Sequence, residues 1–253
     1  MLSLALDTCF GPLQLAAGLT QNGTRVTAVS AVSRAEDLPR ALDAVLDRIS
    51  CDVSAIERIV CTVGPGGFSS VRAGLAFAQG LAGGLRRRPQ LVAISSLAAT
   101  WLSAQVRPRP ADGVHGAEAT PLGDIVIADA RRGQIFLERF DGRVGSLDRV
   151  QLLSVAQAVE ILRAHAQRCL TPADADVSEL LASHQAEFGG PDQAFAGPPI
   201  VIASSPIAML TQPAVRNVEP VERLRALYVR APDAKPYTPV FSGAVPSEPV
   251  ADV

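Results

Sequence analysis

Apolar and polar positions alternate along the first hundred residues in a pattern that predicts strands followed by helices. The turn signals Gly11-Pro12 and Asn22-Gly23 separate the first three apolar runs, which is typical of antiparallel strands. Farther along, apolar residues recur at spacings of three and four, which indicates amphipathic helices. The predicted strands are residues 2–6, 13–19, 26–32, 58–63 and 91–94. The predicted helices are residues 36–50, 69–85 and 95–105.

The pattern is less regular in the second half of the chain. Residues 106–123 are rich in proline and glycine, which predicts a connector. Residues 171–198 are polar and interrupted by proline and glycine, so no element is predicted there. Residues 231–253 contain five prolines and no apolar face, which predicts a disordered tail. The remaining predictions are strands at residues 124–129, 134–140 and 200–203 and helices at residues 154–168 and 219–227.

Composition limits the classes of protein that this chain can be. Its 253 residues are 48% hydrophobic, so a large core can be buried, and the length favours two small lobes or one enlarged α/β unit. Aromatic residues are only 4% and the net charge is −2. Proteins that bind nucleic acid directly use stacking aromatics or a basic surface. A direct RNA-binding module is therefore the weakest hypothesis.

Neither metal ligands nor membrane segments are predicted. The four cysteines and three histidines are scattered along the chain, without the spacing of a zinc site or of a disulfide framework. The sequence shows no basic stretch followed by a long apolar run at its start, and its most apolar window is too short to cross a bilayer. We expect a cytoplasmic protein that does not contact membranes.

The end of the first predicted strand carries a carboxylate, Asp7, followed by a hydroxyl, Thr8. In phosphotransferases an acid at this place holds magnesium or orients a water molecule, while the amides of the turn face phosphate. Alternatively, Asp7 ends the strand and accepts hydrogen bonds from nearby amides. The sequence leaves both interpretations open.

A glycine-rich segment, Gly64-Pro65-Gly66-Gly67, joins a predicted buried strand to a helix N-terminus. Free amides and the helix dipole make such a position suitable for anions, as in a nucleotide phosphate loop. The segment matches neither the Walker loop nor the dinucleotide fingerprint. It can equally be an elbow that lets strand and helix pack closely.

The helix after this segment carries small residues on one side: Ala73, Ala76, Gly80 and Gly83 or Gly84. Each glycine in a helix costs about 1 kcal/mol relative to alanine, so another backbone is expected to approach closely. That backbone can belong to the chain's own sheet or to a second protein chain.

Five segments in the same order resemble the bacterial TsaB (YeaZ-like) family of tRNA threonylcarbamoyladenosine biosynthesis proteins. The first is the strand that ends in Asp7-Thr8-Cys9, where the family has Asp-Thr-Ser. The second, residues 64–74, is similar to the family's Gly-Pro-Gly-Ser-Phe-Thr-Gly-Leu-Arg-Ile-Gly. The others are Ser95-Ser96-Leu97, residues 129–133 and residues 228–236. The chain departs from the family at Ser69-Ser70 and lacks the histidine that many relatives have before the first helix.

The resemblance implies the α/β actin-like ATPase fold, with two small lobes that each contain a mixed sheet flanked by helices. It assigns residues 1–105 to the first lobe and residues 106–215 to the second, and the helix near residues 219–227 would return to the first lobe. In this fold Asp7, Thr8 and residues 64–67 correspond to positions near a bound nucleotide.

The resemblance also implies a role. TsaB-like proteins are non-catalytic partners of a TsaD-like catalytic subunit. With a TsaE-like ATPase, they support threonylcarbamoylation of adenosine 37 in tRNAs that read codons beginning with A. It implies no catalytic residue or metal in this chain, contact with tRNA only through the complex, and a homodimer as an alternative pairing. The only cofactor left open is ATP or ADP at the interface with the partner. Residues assigned to that interface are Leu38, Leu42, Val45, Arg72, Ala73, Ala76, Gly80 and Gly83.

The alternative hypothesis is an active member of the same superfamily. Such a protein would be an ATPase, a small-molecule kinase or a glycoprotease-like hydrolase that uses Asp7 and the loop at residues 64–67.

Overall fold

Two five-stranded mixed sheets form the framework of the molecule. In a computed structural model, the described residues are 1–21, 24–106, 123–141, 143–144, 147–165, 168–188, 199–203 and 205–229. The strands are β1 (Leu2–Asp7), β2 (Leu13–Gln21), β3 (Thr24–Val32), β4 (Ile56–Thr62), β5 (Gln90–Ile94), β6 (Asp124–Asp129), β7 (Gln134–Phe140), β8 (Gln151–Ser154), β9 (Cys169–Pro172) and β10 (Ile200–Ile202). The helices are α1 (Leu38–Arg48), α2 (Phe68–Gly84), α3 (Ser96–Val106), α4 (Val155–His165), α5 (Ser178–Phe188), α6 (Pro206–Thr211) and α7 (Pro213–Arg216).

The first sheet has the strand order β3-β2-β1-β4-β5. Its central strand β1 pairs antiparallel with β2 and parallel with β4, and all six of its residues are buried. Leu2, Leu4 and Leu6 belong to the core that contains residues of α1 and α2, whereas Ala5 belongs to the core on the other side. A strand that is covered on both faces is expected to be apolar at every position, as β1 nearly is.

The second sheet has the order β10-β9-β6-β7-β8. Helix α3 lies between the two sheets and contacts β6, β7 and β9 as well as α6. Trp101 of α3 stacks on Phe140 of β7 with ring centroids 5.1 Å apart, and its indole Nε1 donates to Asp124 at 2.7 Å. Helices α4 and α5 contribute to a third core on the far face of this sheet. The order of layers is therefore helices, sheet, helices, sheet, helices.

The predicted helix at residues 219–227 is wrong. This segment has no helical turn; Val221 forms a bridge with Leu91 of β5, and the Leu227 amide donates to the Val63 carbonyl at 2.7 Å. A proline such as Pro220 is compatible with a helix start, so the local sequence does not exclude a helix here. The edge of β5 takes up the backbone of Val221 instead, because the Val221 amide donates to the Leu91 carbonyl at 2.8 Å. The segment nevertheless contacts the first sheet.

Other elements of the second half were not predicted. They are β8, β9, α5, α6 and α7. Most of the predicted connector and the whole predicted tail at residues 231–253 lie outside the described residues. In the described part of the chain, no helix combines the length and the apolar character needed to cross a membrane.

Candidate functional site

A cleft of about 660 Å³ opens between the two sheets, at the ends of β1, β4 and β6. Its wall in the first lobe is formed by the turn after β1 and by the glycine-rich loop between β4 and α2. Its wall in the second lobe is formed by the turn after β6 and by the segment after β9. The lining residues that matter below are Cys9, Gly11, Gly66, Asp129, Arg131 and Asp174.

The glycine-rich loop is held on two sides by backbone contacts. The Ser96 amide at the start of α3 donates to the Gly64 carbonyl at 2.9 Å, and the Gly67 amide donates to the Cys9 carbonyl at 3.1 Å. Gly64 has a φ of +115°, which favours glycine. A Cβ on Gly66 would lie 2.4 Å from the Cys9 carbonyl oxygen. The loop therefore allows β4 and α2 to pack closely against the turn after β1, and it leaves Gly67 exposed at the cleft.

Asp7 lies beneath the cleft, and its side chain does not line it. Its Oδ1 accepts hydrogen bonds from the Thr62 hydroxyl at 3.0 Å and from the Cys9 amide at 3.4 Å. Burial, with a smaller contribution from the negative charge of Asp174, raises the pKa of Asp7 to about 6, although the hydrogen bonds from Cys9 and Thr62 lower it. Of the two interpretations of Asp7, these contacts match the second, in which the carboxylate ends the strand and accepts hydrogen bonds from nearby groups.

Thr8 faces helix α2 and does not line the cleft. Its hydroxyl is buried without a hydrogen-bond partner, and a Cβ on Gly74 would lie 2.2 Å from it. Thr8 and Gly74 therefore set how closely α2 packs on the end of β1. Gly74, the last glycine of the TsaB-like segment at residues 64–74, therefore allows α2 to pack closely against Thr8.

Carboxylates outnumber cations along the described walls of the cleft. Asp174 lies against the turn after β1, where a Cβ on Gly11 would be 2.2 Å from its Oδ2. Asp129 accepts a hydrogen bond from the Arg131 amide at 2.6 Å and pairs with its guanidinium at 3.2 Å. Arg131 is the single arginine or lysine among the described lining residues. A polyphosphate entering the cleft would meet this negative charge unless a cation accompanied it.

Asp174 is the site residue that sequence analysis missed. It follows β9 in a segment whose polar, proline-containing sequence gave no periodic signal. Its position beside Gly11 depends on pairing between β6 and β9, more than forty residues apart in sequence. Local pattern could not have found it.

The residues predicted to form the partner interface fall into two groups. Leu38, Leu42 and Val45 are at most 6% exposed, and Leu42 and Val45 pack in the core beneath α1, so these three side chains are not accessible to a partner in this structure. Helix α1 turns its apolar stripe toward its own sheet, as an amphipathic surface helix does. The predicted interface residues on α2 remain accessible. Arg72, Ala76, Gly80 and Gly83 are exposed and Ala73 is half-buried.

The family of this chain follows from its sequence. The family model described as "TsaD: tRNA N6-adenosine threonylcarbamoyltransferase" matches residues 28–186, which is more than half of the chain. The chain belongs to this family. Membership ties this TsaD-family chain to the biosynthesis of threonylcarbamoyladenosine in tRNA.

Solved structures confirm the fold of this TsaD-family chain. It is similar to "YeaZ from Pseudomonas aeruginosa", with 21% identity, a TM-score of 0.54 and coverage of 81% of this chain and 84% of that one. It is also similar to a protein described as having "similarity to peptidase YEAZ from Pseudomonas aeruginosa". There the identity is 21%, the TM-score is 0.61, and 90% of this chain and 99% of that one are covered.

Two mixed five-stranded sheets flanked by helices, together with these likenesses, establish the actin-like ATPase fold and the predicted resemblance to YeaZ-like proteins. No curated protein matches this TsaD-family chain closely enough to count as a relative. Among the residues that the structure describes, no group of three or more acidic, histidine or cysteine side chains is arranged to hold a metal ion.

We expect Asp7→Asn to change how stability depends on pH. The folded-state pKa of Asp7, about 6, lies above its usual value of 3.8, so the folded protein binds this proton more tightly than the unfolded chain does. The stabilisation that the folded protein gains from the protonated Asp7 side chain is complete below pH 3.8 and is lost as the pH rises through 6. Between pH 4 and pH 7 the wild type should lose up to about 3 kcal/mol more than the variant.

Urea unfolding of both proteins at several pH values measures this difference. Because other buried groups titrate in both proteins alike, the difference between the two profiles isolates Asp7. Parallel profiles between pH 4 and pH 7 would show that folding does not raise the pKa of Asp7, which would contradict this prediction.

Proposed function

We propose that this chain is a non-catalytic subunit that supports threonylcarbamoylation of adenosine 37 in tRNA by pairing with a related TsaD-like catalytic subunit. Membership of the family supports the pathway. The pairing is supported by the exposed face of α2, which we call the α2 face and define as Arg72, Ala73, Ala76, Gly80 and Gly83.

The observation that carries the proposal is the open space over the glycines of this helix. Among the residues that the structure describes, a Cβ built on Gly80, Gly83 or Gly84 meets no atom within 4 Å. The packing of this described part of the chain therefore does not require glycine at these positions. Glycine costs about 1 kcal/mol relative to alanine in a helix, and a close backbone from outside would explain why it stands here.

The absence of a catalytic role is supported by the cleft. Asp7, the acid expected to act in an actin-like ATPase, is buried and engaged by Thr62 and Cys9. Asp174 lies against Gly11, where a phosphate would meet the amides of the first turn. Because this cleft is poorly suited to a nucleotide, the nucleotide site of the complex is expected to lie in the catalytic subunit. In this proposal the TsaE-like ATPase and the tRNA join the paired subunits, and any ATP or ADP binds at their interface.

The second candidate function is an active ATPase, kinase or glycoprotease-like hydrolase of the same fold. The volume of the cleft, about 660 Å³, favours it, because small-molecule sites have volumes of this order. ATP turnover by the purified chain that is lost in Asp7→Ala would support this function. It would also contradict the non-catalytic proposal.

Depletion of the protein in its own cell tests the proposed function. We expect threonylcarbamoyladenosine in total tRNA, measured by mass spectrometry, to fall at least about tenfold. Wild type and Asp7→Asn should both restore it, because Asp7 has no catalytic role in this account. Gly80→Leu should not restore it. An unchanged amount of the modified nucleoside after depletion would contradict the proposal.

A further inference from the structure

Three arginines surround a small pocket at the opposite end of the first sheet from the cleft. Arg25 comes from β3, Arg58 from β4 and Arg216 from the end of α7. We call these residues the arginine triad. The pocket has a volume of about 20 Å³ and is open on one side, which leaves room for one water-sized group.

Two members of the triad have buried nitrogens without partners. Arg58 is only 9% exposed; its Nη2 donates to the Val215 carbonyl at 2.7 Å, but its Nε has no hydrogen-bond partner. The Nε of Arg25 donates to the Thr20 hydroxyl at 3.0 Å, while its Nη1 is buried and unpaired. An unpaired buried donor on a charged group is costly, so an acceptor is expected nearby.

The described residues that line the pocket include no carboxylate to balance these charges. The nearby Glu57 accepts from the Leu2 amide at 3.3 Å and lies 3.6 Å from the Met1 ammonium. Burial lowers the pKa of Arg58. Burial also lowers the pKa of Arg25, and the positive charge of Arg216 lowers it further. The triad is thus a cluster of like charges that an anion would stabilise.

We propose that the arginine triad binds a phosphate group, with one phosphate oxygen seated in the pocket. The size of the pocket admits one oxygen, and its open side leaves the rest of the group in solvent. Guanidinium groups match the oxygens of a phosphate in geometry and form charge-assisted hydrogen bonds with them. Inorganic phosphate or a terminal phosphate carries more than one negative charge near neutral pH and can neutralise more of the triad than a carboxylate can. A phosphodiester carries one charge, so its advantage over a carboxylate would lie in the geometry of its oxygens.

Thermal unfolding of the full chain, titrated with inorganic phosphate at constant ionic strength, tests the proposal. A ligand that binds only the folded state raises Tm as its concentration increases. We expect a saturable rise for the wild type. Arg25→Gln and Arg216→Gln should each need about tenfold more phosphate for the same rise, since each removes charged hydrogen bonds. Arg58→Gln is less informative because Arg58 also holds Val215.

Arg87→Gln is the matched control, because Arg87 is exposed and lies outside the triad. Phosphate also stabilises proteins non-specifically, and this control retains that effect.

Parallel titrations with dimethyl phosphate and acetate identify the source of the phosphate. A response to dimethyl phosphate indicates a nucleic-acid phosphodiester, and a response to inorganic phosphate alone indicates a free or terminal phosphate. Acetate should act more weakly than phosphate. A wild-type response equal to that of the Arg25→Gln/Arg216→Gln double variant, or a stronger response to acetate, would overturn the proposal.

Discussion

Replacing Ala76 or Gly80 with leucine is expected to abolish pairing with the TsaD-like subunit while leaving the chain folded. Both residues are exposed on the α2 face, and a Cβ on Gly80 meets no atom of the described chain within 4 Å. The isolated protein can therefore accept the larger side chain, and Gly80→Leu should even stabilise α2 by up to about 1 kcal/mol. A partner backbone that packs against this face would be displaced. We expect affinity to fall at least about a hundredfold, near 3 kcal/mol.

Pull-down and isothermal calorimetry with the TsaD-like protein from the same cell measure this loss, and thermal unfolding reports on folding. Ala164→Leu is the matched control, because Ala164 is an exposed alanine on α4 in the other lobe. It should pair like the wild type. Normal pairing by both Ala76→Leu and Gly80→Leu would show that the α2 face is not the interface.

The second large effect is expected at Gly66. A Cβ at this position would lie 2.4 Å from the carbonyl oxygen of Cys9 and 2.7 Å from its Cβ. Backbone cannot rotate away as the end of a side chain can, so Gly66→Ala must push the glycine-rich loop away from the turn after β1. That movement would also stretch the hydrogen bond between the Gly67 amide and the Cys9 carbonyl. We expect the free energy of unfolding to fall by about 4 kcal/mol.

Gly67→Ala provides the control one residue away. Its Cβ would meet the Ser70 hydroxyl at 3.1 Å, and that side chain can rotate. The position is exposed, so the change in the free energy of unfolding should stay below about 1 kcal/mol. Urea unfolding of the two variants tests the difference. Equal stability would mean that the loop and the turn are not in close contact.

Sequence pattern predicted the first lobe well because its elements carry local signals. The amphipathic spacing of Leu42, Val45 and Leu46 predicted α1, and Gly64-Pro65 marked the loop before α2. The predicted turn at Asn22-Gly23 lies outside the described residues, but β2 ends at Gln21 and β3 begins at Thr24 on either side of it. The strands β6 and β7 were predicted with the bounds that the structure shows. In these segments the periodicity of a short window and the tertiary packing agree.

The rest could not be predicted because long-range packing decides it. Asp174 reaches the cleft only because β9 pairs with β6. The segment around Leu224 has helix-forming residues, yet it runs along the first sheet. It bonds through Leu227 to Val63, just after β4, and through Val221 to Leu91 of β5. The apolar stripe of α1 was assigned to a partner, although the chain's own sheet buries it. Apolar periodicity shows that a face is buried but not which surface buries it.

Hydrogen–deuterium exchange of the chain, alone and mixed with the TsaD-like subunit, tests the central claim most directly. The account predicts a complex in which amides of Phe68–Gly84 gain protection, while amides of the second sheet, such as those of Asp124–Asp129, exchange as before. Failure to form a complex, or new protection confined to the second lobe, would contradict it.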